Sequence, residues 1–106
     1  MNNKSSYLNL LGLAYRAGAC TLGEEFIVKE IQQGRAKLVL LANDTGKQTS
    51  KKIRDKCKSY EVPCYVVDNR DILSQAIGKE GRVAISIQDK GFAKKFMTLL
   101  DESNRG

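Results

Sequence analysis

The chain has 106 residues with 18 lysines and arginines, 12 acids and no histidine, giving a net charge of +6 on a 42% hydrophobic composition. That length suits one compact domain over residues 1–106 with no room for a second, and the basic balance favours polyanions such as RNA, DNA or an anionic surface. No apolar run approaches the roughly 20 residues of a membrane span and no charged-then-apolar leader is present, so the expectation is a cytoplasmic protein with no membrane partner.

The elements alternate from the start. Leu8, Leu11 and Tyr15, with Leu10, Ala14 and Ala17 beside them, fit an amphipathic helix ending near Arg16-Ala17-Gly18. An extended piece from Cys20 to Leu22 leads to a second helix opened by Gly23 and closed by Gly34, with Phe26, Ile27 and Ile31 as its buried face. Leu38 to Leu41 is a continuous apolar run, the pattern of a strand covered on both faces. Thr49 or Ser50 is the expected cap of a third helix, whose Ile53, Cys57 and Tyr60 share one side. Val62-Pro63 ends it before a strand from Cys64 to Val67.

Asp68 or Asn69 then starts a fourth helix, apolar at Ile72, Leu73, Ala76 and Ile77 and stopping at Gly78. Arg82 to Ile87 is the last strand, and Phe92, Phe96, Leu99 and Leu100 line a final helix. Strands separated by helices imply an α/β fold, a three-layer α/β/α sandwich around a small mixed four-stranded sheet. Only Met1 to Lys4 and Ser103 to Gly106 look loose.

Little in the chain supports catalysis or metal binding. Cys20, Cys57 and Cys64 are odd in number, form no Cys-x-x-Cys pair and lack a histidine to complete a zinc site, so they are expected to fill the core. Asp44-Thr45-Gly46-Lys47 is no phosphate loop, because Leu41 and Gln48 stand where that motif needs glycine and serine or threonine. Glu24 and Glu25 suit the first helical turn, where carboxylates complement the dipole, better than an acid–base pair. No cofactor is expected.

Three features suit nucleic acid better. A helix beginning at Gly23 offers bare backbone N–H groups and positive partial charge. Gly78-Lys79-Glu80-Gly81 is a G-x-x-G loop, although the KH domains that use this motif place it between two helices and here a strand follows. The third helix carries Lys51, Lys52, Arg54, Lys56 and Lys58 against Asp55 alone. With a cap at Thr49 or Ser50, Lys51 and Lys52 would sit in its first turn, where the dipole disfavours cations by up to about 1 kcal/mol.

Taken in order, several of these pieces resemble one family. They are Gly23-x-Glu25-x-x-x-Lys29 with Gly34 five residues on, the apolar strand, Val62-Pro63, and Leu73-x-x-Ala76-x-Gly78 with Val83. Together they resemble the kink-turn RNA-binding ribosomal protein family named for large-subunit protein L-seven-Ae. Leu10-Gly12-Leu13-Ala14, Arg16-Ala17-Gly18 and Asp89 to Lys95 extend the likeness to its bacterial YlxQ-like branch. The resemblance implies a non-enzymatic domain that binds a kink-turn, a sharply bent duplex with tandem sheared G·A pairs, in ribosomal or other structured RNA. Ribosome-associated proteins are further partners it implies.

By the same resemblance Gly23, Glu24, Glu25 and Lys29 would meet the widened major groove, and Ile77, Gly78, Lys79, Glu80, Gly81 and Arg82 would pack against a flipped-out nucleotide. Three positions depart from the family pattern. Glu25 stands where the best-known members have an asparagine or lysine that donates to guanine O6, Phe26 where they have glutamate, and Gln33 where several have arginine. A carboxylate only accepts. Backbone N–H groups and lysines must then carry more of the binding, or Glu25 accepts from a base amino group, and binding is expected to be weaker or differently selective. Gly23→Val is expected to harm binding more than folding. A protein–protein module and an accessory domain of an RNA-modifying complex are the alternative functions for the same fold.

Overall fold

The computed structural model describes residues 3–104, with side-chain surroundings from Tyr7 to Glu102. Five helices alternate with four strands: α1 Asn3–Arg16, β1 Cys20–Leu22, α2 Glu24–Gln32, β2 Leu38–Leu41, α3 Lys47–Ser59, β3 Cys64–Val66, α4 Arg70–Ile77, β4 Ala84–Ile87 and α5 Lys90–Asn104. The sheet order is β1-β4-β2-β3. Strand β4 runs antiparallel to both neighbours, and β2 runs parallel to β3, so the sheet is mixed as expected.

The unbroken apolar run of β2 has a direct structural cause. Leu38 and Leu40 face one layer, with Tyr7, Leu11 and Ala14 of α1, Leu73 and Ile77 of α4, and Ala93, Phe96 and Leu100 of α5. Val39 and Leu41 face the other, with Ile27 and Ile31 of α2 and Ile53 and Cys57 of α3. Alternate residues of a strand point to opposite faces, so a strand covered twice must be apolar throughout.

Packing sustains elements too short to stand alone. Isolated helices under about 12–15 residues are marginal in water, and α2 has nine residues. Ile27 and Ile31 are fully buried, each worth about 1.5–3 kcal/mol. At its end Gly34 takes φ 75°; its N–H bonds Ile31 O at 3.2 Å and Arg35 N–H bonds Glu30 O at 2.9 Å. A side chain at that φ would be strained, which is why glycine closes this helix. Helix α4 is bounded as its sequence implies, by Asn69 accepting from Ile72 N–H at 3.0 Å and by Gly78 in the left-handed conformation.

Several expectations need correction. Phe26 is 65% exposed and forms no part of the buried face of α2. Tyr60 is 47% exposed and lies just past α3, so the buried side of that helix is Ile53 and Cys57. Helix α3 starts at Lys47, capped by Gly46 without a side-chain bond. Thr49 and Ser50 are thus inside it, and the cation in its first turn is Lys47 rather than Lys51 or Lys52. Strand β3 ends at Val66 and β4 begins at Ala84, later than the expected Arg82. Asn3 and Lys4 belong to α1, and Ser103 and Asn104 to α5; Met1, Asn2, Arg105 and Gly106 lie outside the described residues. Of the cysteines only Cys57 is fully buried, and Cys20 and Cys64 are half-buried.

Two contacts fix α4 and the segment before it against α1. Tyr7, absent from the expected core, is the largest fully buried side chain among the described residues, and its hydroxyl donates to Asp68 Oδ2 at 2.7 Å. Burial, with the Asp68 bond second, pushes that phenol above its ordinary pKa, so it remains a donor. Gly12 lies mid-helix in α1, where a Cβ would stand 3.0 Å from the Ala76 carbonyl oxygen.

Both contacts are testable by urea unfolding. Tyr7→Phe is expected to lower stability by about 1.5–3 kcal/mol, the scale of a hydrogen bond to a charged group. Gly12→Ala gains about 1 kcal/mol of helix propensity but presses on a carbonyl that cannot rotate away, at about 1–3 kcal/mol. The net expectation is a lower unfolding midpoint, and a rise would show that the Ala76 carbonyl yields by the few tenths of an ångström a Cβ needs.

Candidate nucleic-acid interface

Helix α2 opens with its donors bare. Gly23 is the N-cap at φ 95°, ψ 126°, and no side chain caps the helix. Ile27 N–H bonds Gly23 O at 2.9 Å, so the N–H groups of Glu24, Glu25 and Phe26 have no intrahelical acceptor. A side chain at position 23 would be strained by φ, and its Cβ would lie 3.2 Å from Phe26 Cδ2. Gly23 is therefore needed by the fold as well as available to a ligand, and Gly23→Val cannot be the harmless probe of binding expected from sequence.

The acids of the first turn differ in their freedom. Glu24 accepts from Lys52 Nζ of α3 at 3.0 Å. A hydrogen bond from Thr49, and then the one from Lys52, hold its carboxyl below the usual glutamate range. Glu24 thus ties α2 to α3 and is already engaged. Glu25 and Lys29 are both exposed on the outer face of α2.

The second half of the candidate site lies between α4 and β4. Gly78, Lys79, Glu80 and Gly81 are exposed, and with Asp71, Ser74 and Gln75 they line a shallow surface concavity. Ile77 is 7% exposed and packs in the core beneath them. Arg82 N–H donates to Ser74 Oγ at 2.9 Å, which anchors the end of the loop to α4.

The two halves meet. A cavity of about 200 Å³ is lined by Gly23, Glu24 and Thr49 on one side and Gly81, Arg82, Val83 and Ala84 on the other. The Arg82 Nε in its wall is buried without a hydrogen-bond partner among the described residues. Buried donors are normally satisfied, so this one is available to an acceptor. Sequence reasoning missed Thr49, Val83 and Ala84 as lining residues. Thr49 gave a signal of another kind, a capping hydroxyl, and no spacing along the chain links it to Gly23 or Gly81.

Nearby, the basic third helix is partly neutralised. Lys51 pairs with Asp55 at 2.6 Å and Lys52 with Glu24, while Arg54 Nε bonds Ser50 Oγ at 3.1 Å. Lys47, Lys56 and Lys58 have no ion pair among the described residues. Exposed pairs of this kind contribute little to stability, so the charge of α3 serves solubility or a partner more than the fold.

Comparison with known proteins bears on the family and the fold. A family model described as the ribosomal protein L7Ae/L30e/S12e/Gadd45 family matches residues 6–97. The chain is 50% identical over 92 residues to the RNA-binding protein YlxQ of Bacillus subtilis, covering 87% of this chain and 92% of that protein. A solved structure of a protein of unknown function from Bacillus halodurans C superposes with a TM-score of 0.87 at 49% identity, covering 90% of this chain and 96% of the other. The Giardia lamblia 15.5kD RNA binding protein shares the fold at a TM-score of 0.81 and 18% identity, covering 99% and 91% of the two chains. The bare helix start at Gly23 and the loop that faces it are thus carried on a known scaffold, and the chain belongs to the ribosomal protein L7Ae/L30e/S12e/Gadd45 family.

Proposed function

We propose that this protein is a non-enzymatic RNA-binding module that recognises a kink-turn in ribosomal or other structured RNA. The observation that carries the reading is the shared cavity between Gly23 and Arg82. Around it uncapped backbone N–H groups and a buried guanidinium N–H without a partner among the described residues offer donors, and Lys29 adds an exposed cation farther along α2. The 50% identity to a protein named for RNA binding supports the same class of ligand.

A kink is what lets such a surface be used. The major groove of regular A-form RNA is too narrow for a helix, so proteins read RNA at irregular elements. A bent duplex opens that groove to the N-terminus of α2, with Gly23, Glu25 and Lys29 toward the paired bases. The 78–82 loop, through Gly78, Lys79, Glu80, Gly81 and Arg82, meets the nucleotide expelled at the bend. In this reading Glu24 and Ile77 hold the two halves in position rather than touch RNA, since one is tied to Lys52 and the other is buried. Glu25 accepts from a base amino group, because a carboxylate has no proton to give guanine O6 at neutral pH.

Two measurements test the reading. Affinity for a kink-turn RNA is expected to exceed that for the same RNA with its G·A pairs replaced by Watson–Crick pairs, and equal affinities would falsify kink-turn recognition. Log affinity is expected to fall with log salt by roughly 0.7 to 0.9 per phosphate neutralised. Lys29→Ala should reduce that slope by about 1 if its ammonium meets a phosphate; an unchanged slope removes Lys29 from the interface.

A further inference from the structure

Phe26 is the most exposed large hydrophobic side chain among the described residues, at 65%, ahead of Val66, Leu13 and Tyr60. Single exposed apolar residues are ordinary, but this one stands where it does nothing for its helix. It occupies the third helical position after the Gly23 cap. There a glutamate or glutamine would reach back to the cap N–H, and an acid would complement the dipole. A phenyl group forgoes both and buries little in exchange. Such a local conflict is the pattern of a position that serves binding rather than stability.

Its surroundings define the use. The ring lies against Gly23, where any Cβ would come within 3.2 Å of Cδ2, so part of the ring is covered by backbone and the rest is open to solvent. Beside it run the uncapped N–H groups of the first turn and, one turn on, the exposed Lys29. A flat apolar surface flanked by backbone donors and a cation is the makeup of a nucleobase platform: the base stacks on the ring while its phosphate meets the positive charge.

We propose that Phe26 is a stacking platform for one unpaired nucleobase of the bound RNA, a subsite separate from the 78–82 loop. The proposal rests on the RNA-binding reading above. Stacking is sequence-tolerant, because every base has a π-face, so this subsite adds affinity at a nucleotide that need not be fixed in identity. It also supplies, through dispersion and π contact, binding that does not depend on salt.

The test pairs protein variants with abasic RNAs. Affinities of wild type, Phe26→Ala, Phe26→Leu and Phe26→Trp are measured for a kink-turn RNA and for versions in which each unpaired nucleotide in turn is abasic. Phe26→Ala is expected to weaken binding about 5- to 150-fold, the range of one base–aromatic stack. Phe26→Leu should weaken it nearly as much, and Phe26→Trp should retain it. One abasic RNA should weaken wild-type binding by the same factor and abolish the penalty of Phe26→Ala. Thermal unfolding confirms that each variant is folded, as an exposed position permits.

The proposal is overturned if Phe26→Ala binds as tightly as wild type. It is equally overturned if Phe26→Ala keeps its full penalty on every abasic RNA. Failure of wild type itself to bind the kink-turn overturns the underlying reading, and the wild-type measurement alone reveals that case.

Discussion

The pairing of β4 with both its neighbours holds the molecule together: β2 on one edge closes the core, and β1 on the other brings the two halves of the candidate site side by side. Leu38 faces Ile87 and Leu41 faces Ala84 across an antiparallel ladder sealed under helices on both faces. A buried backbone group left unpaired costs about 1–3 kcal/mol, and a slip of one residue would turn every apolar side chain to the wrong layer. The register is therefore fixed. Helix α2 feeds into the start of β2, where Lys37 N–H bonds Ile87 O at 2.8 Å. The loop after α4 feeds into the start of β4, where Val83 O accepts from Ala42 N–H at 2.8 Å and from the Thr45 hydroxyl at 3.3 Å. On the other edge of β4 Leu22 pairs with Ile85, so the β1–β4 ladder sets Gly23 beside the start of β4 and fixes its distance from Arg82.

Charge is arranged to support this geometry more than to stabilise the fold. The Glu24 carboxylate, tied to Thr49 and Lys52, clamps α3 to the opening of α2. Arg70 does the same for the start of α4, with Nε 3.3 Å from Asp44 Oδ2 and a guanidinium nitrogen 2.6 Å from the Asp44 carbonyl. Beneath the sheet edge Gln88 donates to both Thr21 and Glu30, joining β1, α2 and the end of β4. These bonds link elements far apart in sequence, and each orients a segment that borders the cavity or the helix leading to it.

What the sequence revealed was what local chemistry decides. Asn69 and Gly78 mark the ends of α4 because capping is settled within a few residues, and the four-residue apolar run of β2 announces a doubly covered strand. The misreadings share a different cause. Helical periodicity records that Phe26 and Tyr60 are apolar, but whether a neighbouring layer reaches them depends on elements elsewhere in the chain. Tyr7 escaped notice for the converse reason, since its hydroxyl can be buried only because Asp68, sixty-one residues away, accepts from it. Thr49 is suited to capping, yet α3 begins at Lys47 after a Gly46 cap, and Thr49 lies within the helix where its hydroxyl lowers the Glu24 pKa. The cavity could not be read at all from spacing, because its two walls are joined only through the sheet.

The close seating of α4 on α1 has a consequence for the energetics of any complex. Tyr7 holds the segment before α4, the Ala76 carbonyl leaves no room for a Cβ at Gly12, and Ser74 secures the Arg82 backbone. On the proposed RNA-binding reading, these contacts hold the base of the 78–82 loop in place before any ligand arrives. To that extent the work of deformation falls on the RNA. A rigid template captures only the fraction of RNA already bent, so its apparent affinity scales with that fraction. On this reading, whatever folds the RNA in advance, whether divalent ions or a neighbouring helix, strengthens binding without adding one contact to the protein.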